Sequence, residues 1–189
     1  GKSSVAANLA VALAEKGRSV MLIDTDLKKP AQAKIFSASE KDGKYLTDYL
    51  GKKAEVGQIL KKEGDLGLFL VLQHSGVKNS ARYLDSKEMK DLIRAAGSSV
   101  DYVILDSSPM MLSSDALILT RLADAVLLVV RQDWTDIRGL NDAADDLRQS
   151  TADFMGFVLN GFRDKGFSGG REYSYYGYGG RRRGRAGEE

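Results

Sequence analysis

Ser19-Val20-Met21-Leu22-Ile23-Asp24-Thr25-Asp26 is a continuous apolar run that stops abruptly at two carboxylates. A short apolar stretch without polar alternation suits a strand buried on both faces, which is the habit of parallel sheets covered by helices. Similar runs recur at 66–72, 100–105, 125–130 and 154–159. Helix-like stretches lie between them, notably 85–96, 114–122 and 136–149. Strands alternating with helices imply right-handed crossovers. The fold class expected is α/β, a doubly wound, mostly parallel sheet with helices on both faces. Upstream of the run, residues 4–16 carry Val5, Leu9, Val11 and Leu13 as a helical stripe, and Gly17 follows as a C-cap. Residues 30–63 are more polar and read as small helices and loops beside the sheet.

The composition bounds the partners. The 189 residues fit one domain, and 43% hydrophobic content is ordinary for a chain that buries a core. A net charge of +2 gives no case for nucleic acid. Cysteine is absent, so neither a disulfide framework nor a thiolate metal site is available, in keeping with a reducing cytoplasm. No apolar run approaches the roughly 20 residues that span a bilayer. The chain begins at Gly1 rather than a methionine and reads as a fragment whose front could carry a membrane anchor. Residues 164–189 hold eight of the 20 glycines and four of the eight tyrosines, with almost no aliphatic side chains. Such a segment buries too little to offset its ordering entropy. The expected division is a folded domain over 1–163 and a flexible tail over 164–189.

Three sites carry chemistry. Gly1-Lys2-Ser3-Ser4 opens directly into a helix. It reads either as a serine N-cap or as the end of a phosphate-binding loop, G-x-x-x-x-G-K-[ST]. In the second reading the glycine lets backbone N–H groups approach phosphate, and the helix N-terminus adds its positive dipole end. Lys2 then reaches the outer phosphates and the Ser3 hydroxyl ligates Mg²⁺. Asp24 and Asp26 stand two residues apart at the end of the opening strand, and strand alternation would point both towards one site. That site would lie at the C-terminal edge of the sheet, where such folds bind ligands. Val103-Ile104-Leu105-Asp106-Ser107-Ser108-Pro109 is a second apolar strand ending in aspartate. A lone strand-ending Asp is an ordinary turn cap. Two of them beyond a helix-opening Gly-Lys-Ser suggest a nucleotide and a divalent cation.

These residues resemble the bacterial tyrosine kinases (BY-kinases) of capsule and exopolysaccharide systems. Gly1-Lys2-Ser3 is similar to the end of that family's Walker A loop. Leu22-Ile23-Asp24-Thr25-Asp26-Leu27-Lys28 resembles its Walker A-prime, three apolar residues followed by D-x-D-x-R, with Pro30 beyond. Ile104-Leu105-Asp106-Ser107-Ser108-Pro109 resembles its Walker B. Asp115-Ala116, Val129-Val130-Arg131, Thr135 and Val158-Leu159-Asn160 also look like the family. So does the tail, Tyr173-Ser174-Tyr175-Tyr176-Gly177-Tyr178.

The resemblance implies a P-loop ATPase-fold kinase using ATP and Mg²⁺. Gly1, Lys2, Ser3 and Ser4 would hold the phosphates, and Asn160 would read adenine. Ser3, Asp24 and Asp106 would serve the metal ion. Lys2, Asp24 and Asp26 would act in catalysis, with Asp24 orienting or deprotonating the acceptor hydroxyl. Tyr173, Tyr175, Tyr176 and Tyr178 would be phosphorylated by a neighbouring subunit. It also implies a homo-oligomer with tail exchange, a membrane-embedded activator or polysaccharide co-polymerase, fused or separate, and a cognate tyrosine phosphatase. The place implied is the cytoplasmic face of the plasma membrane.

Three departures are visible. Lys28 stands at the arginine position, Ser108 at a proline position, and the start of the loop and its strand would precede Gly1, so the chain as written is expected to bind ATP poorly. The competing readings are a MinD/ParA-type positioning ATPase and a non-catalytic, phosphorylatable scaffold. The first lacks a reason for a tyrosine cluster, and residues 169–187 have no apolar face for a membrane helix. The second lacks a reason for the aspartates. His74 and Trp134 read as a loop residue and a packing or interface residue, and Arg181, Arg182, Arg183 and Arg185 as a solvated run.

Overall fold

The computed structural model describes residues 1–38, 43–110 and 113–163. Its elements run α1 Lys2–Glu15, β1 Val20–Asp24, α2 Gln32–Ile35, α3 Leu46–Leu50, α4 Val56–Ile59, β2 Leu60–Glu63 and β3 Leu68–Val71. They continue with α5 Ser80–Leu84, α6 Lys87–Gly97, β4 Tyr102–Asp106, α7 Asp115–Thr120, β5 Ala125–Arg131, α8 Ile137–Arg148 and β6 Asp153–Asn160. The expected α/β architecture is present, with parallel β3–β1–β4 pairing at its centre.

β1 is the spine. All five of its residues are buried, and their alternation divides the core. Val20 and Leu22 pack with Leu68, Leu70 and the alanines of α1. Met21 and Ile23 pack with Leu46, Leu50, Leu84, Met89 and Leu92 on the opposite side. This two-sided burial is what an apolar run without polar interruption requires.

Several local details differ from the sequence reading. Ala7, Ala10 and Ala14 form the buried stripe of α1, while Leu9 is 38% exposed. Small side chains let the helix lie close to the sheet; Val11 and Leu13 only flank that contact. The helix ends as expected. Gly17 takes φ +78°, its N–H donates to Ala14 O, and that of Arg18 donates to Leu13 O, closing a Schellman motif. β2, in the polar region read as helices and loops, instead pairs antiparallel with β3 as an edge strand. Its sequence, Leu60-Lys61-Lys62-Glu63, is charged as exposed edges often are.

The described residues form two sheets rather than one, a four-stranded sheet in the order β2-β3-β1-β4 and a parallel β5–β6 pair. Trp134 does not pack; it is 79% exposed, with the Arg131 guanidinium 5.4 Å from its ring centroid. No helix among the described residues is long and apolar enough to cross a membrane. The tail from residue 164 lies outside the described residues.

If the alanine stripe sets the helix–sheet distance, Ala10→Leu should destabilise the fold by about 1–3 kcal/mol through overpacking. Leu9→Ala should stay within about 0.5 kcal/mol of the parent. Urea unfolding of both variants checks this, and the reverse ranking would refute the assignment of the buried face.

Candidate functional site

The parity that buries Leu22 against α1 also fixes Asp24. It is two residues on along the strand, so it faces the start of α1. Asp106 is its register partner on β4, about 4.8 Å away across a parallel ladder. Ile104, two residues before Asp106, packs against the same α1-side core. Sheet register therefore sets two carboxylates side by side beneath the first turn of α1. The strand ends are tied together here, because both the N–H and the hydroxyl of Thr25 donate to Asp106 O, at 2.9 and 2.8 Å.

Asp24 is fully buried. Its Oδ2 accepts from the N–H groups of Ala31 and Gln32 at 3.0 and 2.9 Å, while Oδ1 has no partner. Burial pushes its pKa up to about 7. The Gln32 and Ala31 N–H groups work against that rise, and the neighbouring Asp106 charge adds to it. Burial also raises Asp106; hydrogen bonds from Gln32 and Ser3 and the Lys2 charge oppose that shift. Asp106 Oδ1 is likewise buried and unpartnered. Two buried carboxylates with idle oxygens are costly to ionise, and either a bound proton or a cation relieves that cost.

Ser3 reaches Asp106 with its hydroxyl, and the Lys2 charge acts on the same carboxylate. Ser4 is exposed. Gly1 lies against Asn160, since a Cβ at that position would clash with Asn160 Nδ2. The loop residue and the end of β6 thus meet, with glycine allowing the approach. Asp26 is placed differently from the alternation argument. β1 ends at Asp24, and Asp26 Oδ1 accepts from the N–H groups of Lys28 and Lys29 at 3.3 and 3.0 Å, fastening its own turn. Its charge still reaches Asp106.

Gln32 was invisible to sequence reasoning. It is fully buried, and its Nε2 donates to Ser3 O at 3.0 Å and to Asp106 Oδ2 at 2.7 Å. Lys28, at the arginine position, donates to Ser113 Oγ at 2.7 Å and pairs with the buried Asp115 at 3.5 Å. Ser80 Oγ donates to Asp115 at 2.6 Å. Ser108, at the proline position, leaves a buried hydroxyl without a partner.

The donor set fits Mg²⁺. Among the described residues no group of three or more His, Cys, Asp or Glu side chains is placed to cage an ion. Mg²⁺ does not need one, because it keeps several waters and takes one or two carboxylates plus phosphate oxygens. Ser3 and the idle oxygens of Asp24 and Asp106 supply that chemistry. Tyr173, Tyr175, Tyr176 and Tyr178 lie outside the described residues.

A family profile described as an AAA domain matches residues 1–153. The tyrosine-protein kinase YwqD of Bacillus subtilis (strain 168) is 36% identical over 94% of this chain and 73% of its own length. This chain belongs to the bacterial tyrosine-protein kinase family. The solved kinase domain of the Escherichia coli tyrosine kinase Etk is 27% identical, with a TM-score of 0.79, over 90% of this chain and 66% of that one. The chain spans only 22% of full-length Etk of Escherichia coli (strain K12), at 29% identity. The septum site-determining protein MinD of Pyrococcus horikoshii OT3, solved with Mg-ADP, shares the fold at 22% identity and a TM-score of 0.70, over 84% of this chain and 64% of that one.

The raised Asp24 carboxyl has a consequence for the metal-free protein. Above about pH 4 the unfolded chain has released this proton, while the folded state holds it until about pH 7. Stability should therefore fall as pH climbs through that window, with the full penalty present above it. Asp24→Asn removes the penalty. In EDTA at pH 8 it should melt above the parent, and its advantage should shrink towards pH 4. A variant less stable than the parent at pH 8 would contradict the buried-carboxylate account.

Proposed function

We propose that this chain is the catalytic domain of a protein-tyrosine kinase that moves the γ-phosphoryl group of ATP to tyrosine hydroxyls, those of its own tail included. The observation that carries the reading is the meeting of Ser3, Asp24 and Asp106, with two buried carboxylate oxygens left without partners. A positioning ATPase of the MinD kind would use the same fold. The tyrosine-kinase relatives and the Tyr173–Tyr178 cluster favour the kinase.

Phosphoryl transfer asks for placement and charge stabilisation rather than elaborate covalent chemistry. Lys2 and the N–H groups opening α1 hold the phosphates, where the helix dipole favours negative charge. Bound Mg²⁺ would neutralise charge on the phosphate oxygens; Ser3, Asp24 and Asp106 are the residues that would hold it. Asp24 orients the tyrosine hydroxyl and takes its proton as the phenolic oxygen bonds to phosphorus and ADP leaves. A carboxylate placed against the acceptor hydroxyl suits that exchange. Asp26 shapes the turn beside it, and Asn160 lies against Gly1, where the base would emerge. A membrane-embedded activator of a polysaccharide system, fused or separate, would hold the domain at the inner face of the membrane, and a tyrosine phosphatase would reset the tail.

In the full-length protein, Lys2→Met should weaken MgATP binding by at least about tenfold, as expected when a phosphate-binding charge is removed. Unchanged calorimetric affinity would remove the phosphate-loop argument.

Transfer between subunits is tested by mixing an inactive Lys2→Met protein that keeps its tail with an active protein whose Tyr173, Tyr175, Tyr176 and Tyr178 are phenylalanine. Mass spectrometry should find phosphate on the inactive partner's tail. Each phosphate adds about −1.5 to −2 charge near the aspartates, so sedimentation should then show smaller assemblies. If no tail tyrosine is modified in that mixture or in the parent, the kinase reading fails. Asp24→Asn should lose phosphotransfer and leave nucleotide binding largely intact, since Lys2 and the N–H groups of α1 still hold the phosphates; retained phosphotransfer with loss of DNA- or membrane-stimulated ATP hydrolysis alone would favour the positioning ATPase.

A further inference from the structure

Gln32 touches both the opening of α1 and the end of β4. Its surroundings dictate its orientation. Ser3 O and Asp106 Oδ2 are both acceptors, so the amide must turn its two N–H groups towards them, at 3.0 and 2.7 Å. Its backbone N–H meanwhile donates to Asp24 Oδ2 at 2.9 Å. One residue therefore restrains one oxygen of each carboxylate. The other oxygen of each, Asp24 Oδ1 and Asp106 Oδ1, is left without a partner. Gln32 Oε1 is also buried and unpartnered. A buried amide oxygen without a donor is costly, and the usual remedy is a bound water.

Resting on the nucleotide-site reading above, we propose that Gln32 is a positioning residue for the metal ion: it holds Asp24 and Asp106 with their idle oxygens turned to a hydrated Mg²⁺, and its Oε1 accepts from one of the ion's waters. The neutral amide suits this place. A charged donor would compete with the cation for the carboxylates, and a second acceptor facing Asp106 Oδ2 would repel it. Outer partners of metal ligands act in this way, fixing ligand orientation without touching the ion.

The test uses the full-length protein and two apolar replacements, Gln32→Met and Gln32→Leu. ADP affinity is measured calorimetrically in Mg²⁺ and in EDTA, and Mn²⁺ binding is followed by electron paramagnetic resonance. With Gln32→Met, the gain in ADP affinity conferred by Mg²⁺ should shrink by about tenfold or more, and half-saturation with Mn²⁺ should rise similarly. ADP affinity in EDTA should stay within about threefold of the parent, and in an Asp106→Asn background Gln32→Met should cause little further loss, since the amide acts through that carboxylate. Thermal melting confirms folding, and if the Met variant does not fold, Gln32→Leu carries the same comparison. A folded variant whose Mg²⁺ gain stays within about twofold of the parent overturns the inference, as does an equal loss with and without metal, which marks a merely structural role. If the parent itself binds neither ADP nor Mn²⁺, the nucleotide-site reading falls and this inference falls with it. A parent that binds both beside a silent Gln32 variant removes this inference alone.

Discussion

The register between β1 and β4 sets Asp24 beside Asp106, and most of the site follows from accommodating those two carboxylates. Each belongs to a strand whose apolar residues are committed to the core, so neither can swing towards solvent. The molecule answers with donors. The start of α2 gives two backbone N–H groups to Asp24, and the Gln32 side chain and Ser3 reach Asp106. These contacts satisfy only part of the four carboxylate oxygens, and the remainder is where a cation gains most. An ion there would be held by charge already assembled, rather than by residues recruited on binding.

A second ring of contacts keeps that geometry in place. The turn after β1 is fastened by Asp26 to its own backbone. It is anchored further by Val77 N–H, which donates to Leu27 O at 2.8 Å. Gly76 allows this approach, because a Cβ there would come within 2.5 Å of Lys28 O. Lys28 then links the turn to Asp115 and Ser113 at the start of α7. A lysine meets that role with a single ammonium group where arginine would offer a planar fork. The A-prime turn and the start of α7 are thereby joined.

The buried hydroxyl of Ser108 is the odd member of this neighbourhood. It stands where the family's pattern has proline, which would present no donor, and it has no partner. With Asp24 Oδ1, Asp106 Oδ1 and Gln32 Oε1, it makes up the buried side-chain polar atoms of the described residues that lack a partner.

Much was legible in the sequence because it depends on local pattern. The apolar run ending at Asp24 specified a doubly buried strand, Gly17 specified the end of α1, and the strands ending in aspartate specified the sheet edge that bears the site. Gly1, Lys2, Ser3, Asp24 and Asp106 could be named because their spacing follows a motif. What the pattern could not carry was anything decided by distance across the chain. The alanine face of α1 depends on how closely a helix settles on a sheet, and hydrophobicity alone favoured Leu9. The short charged strand β2 exists only because the edge of β3 offers it a partner. Gln32 looks like any polar residue in a loop until α2 folds it between Ser3 and Asp106, and Asp26 stands in a turn that strand alternation does not describe, because the strand stops two residues before it. Sequence fixed which groups carry charge and where strands must end; only packing decided which of those groups face each other, since hydrogen bonds and desolvation act between neighbours in space.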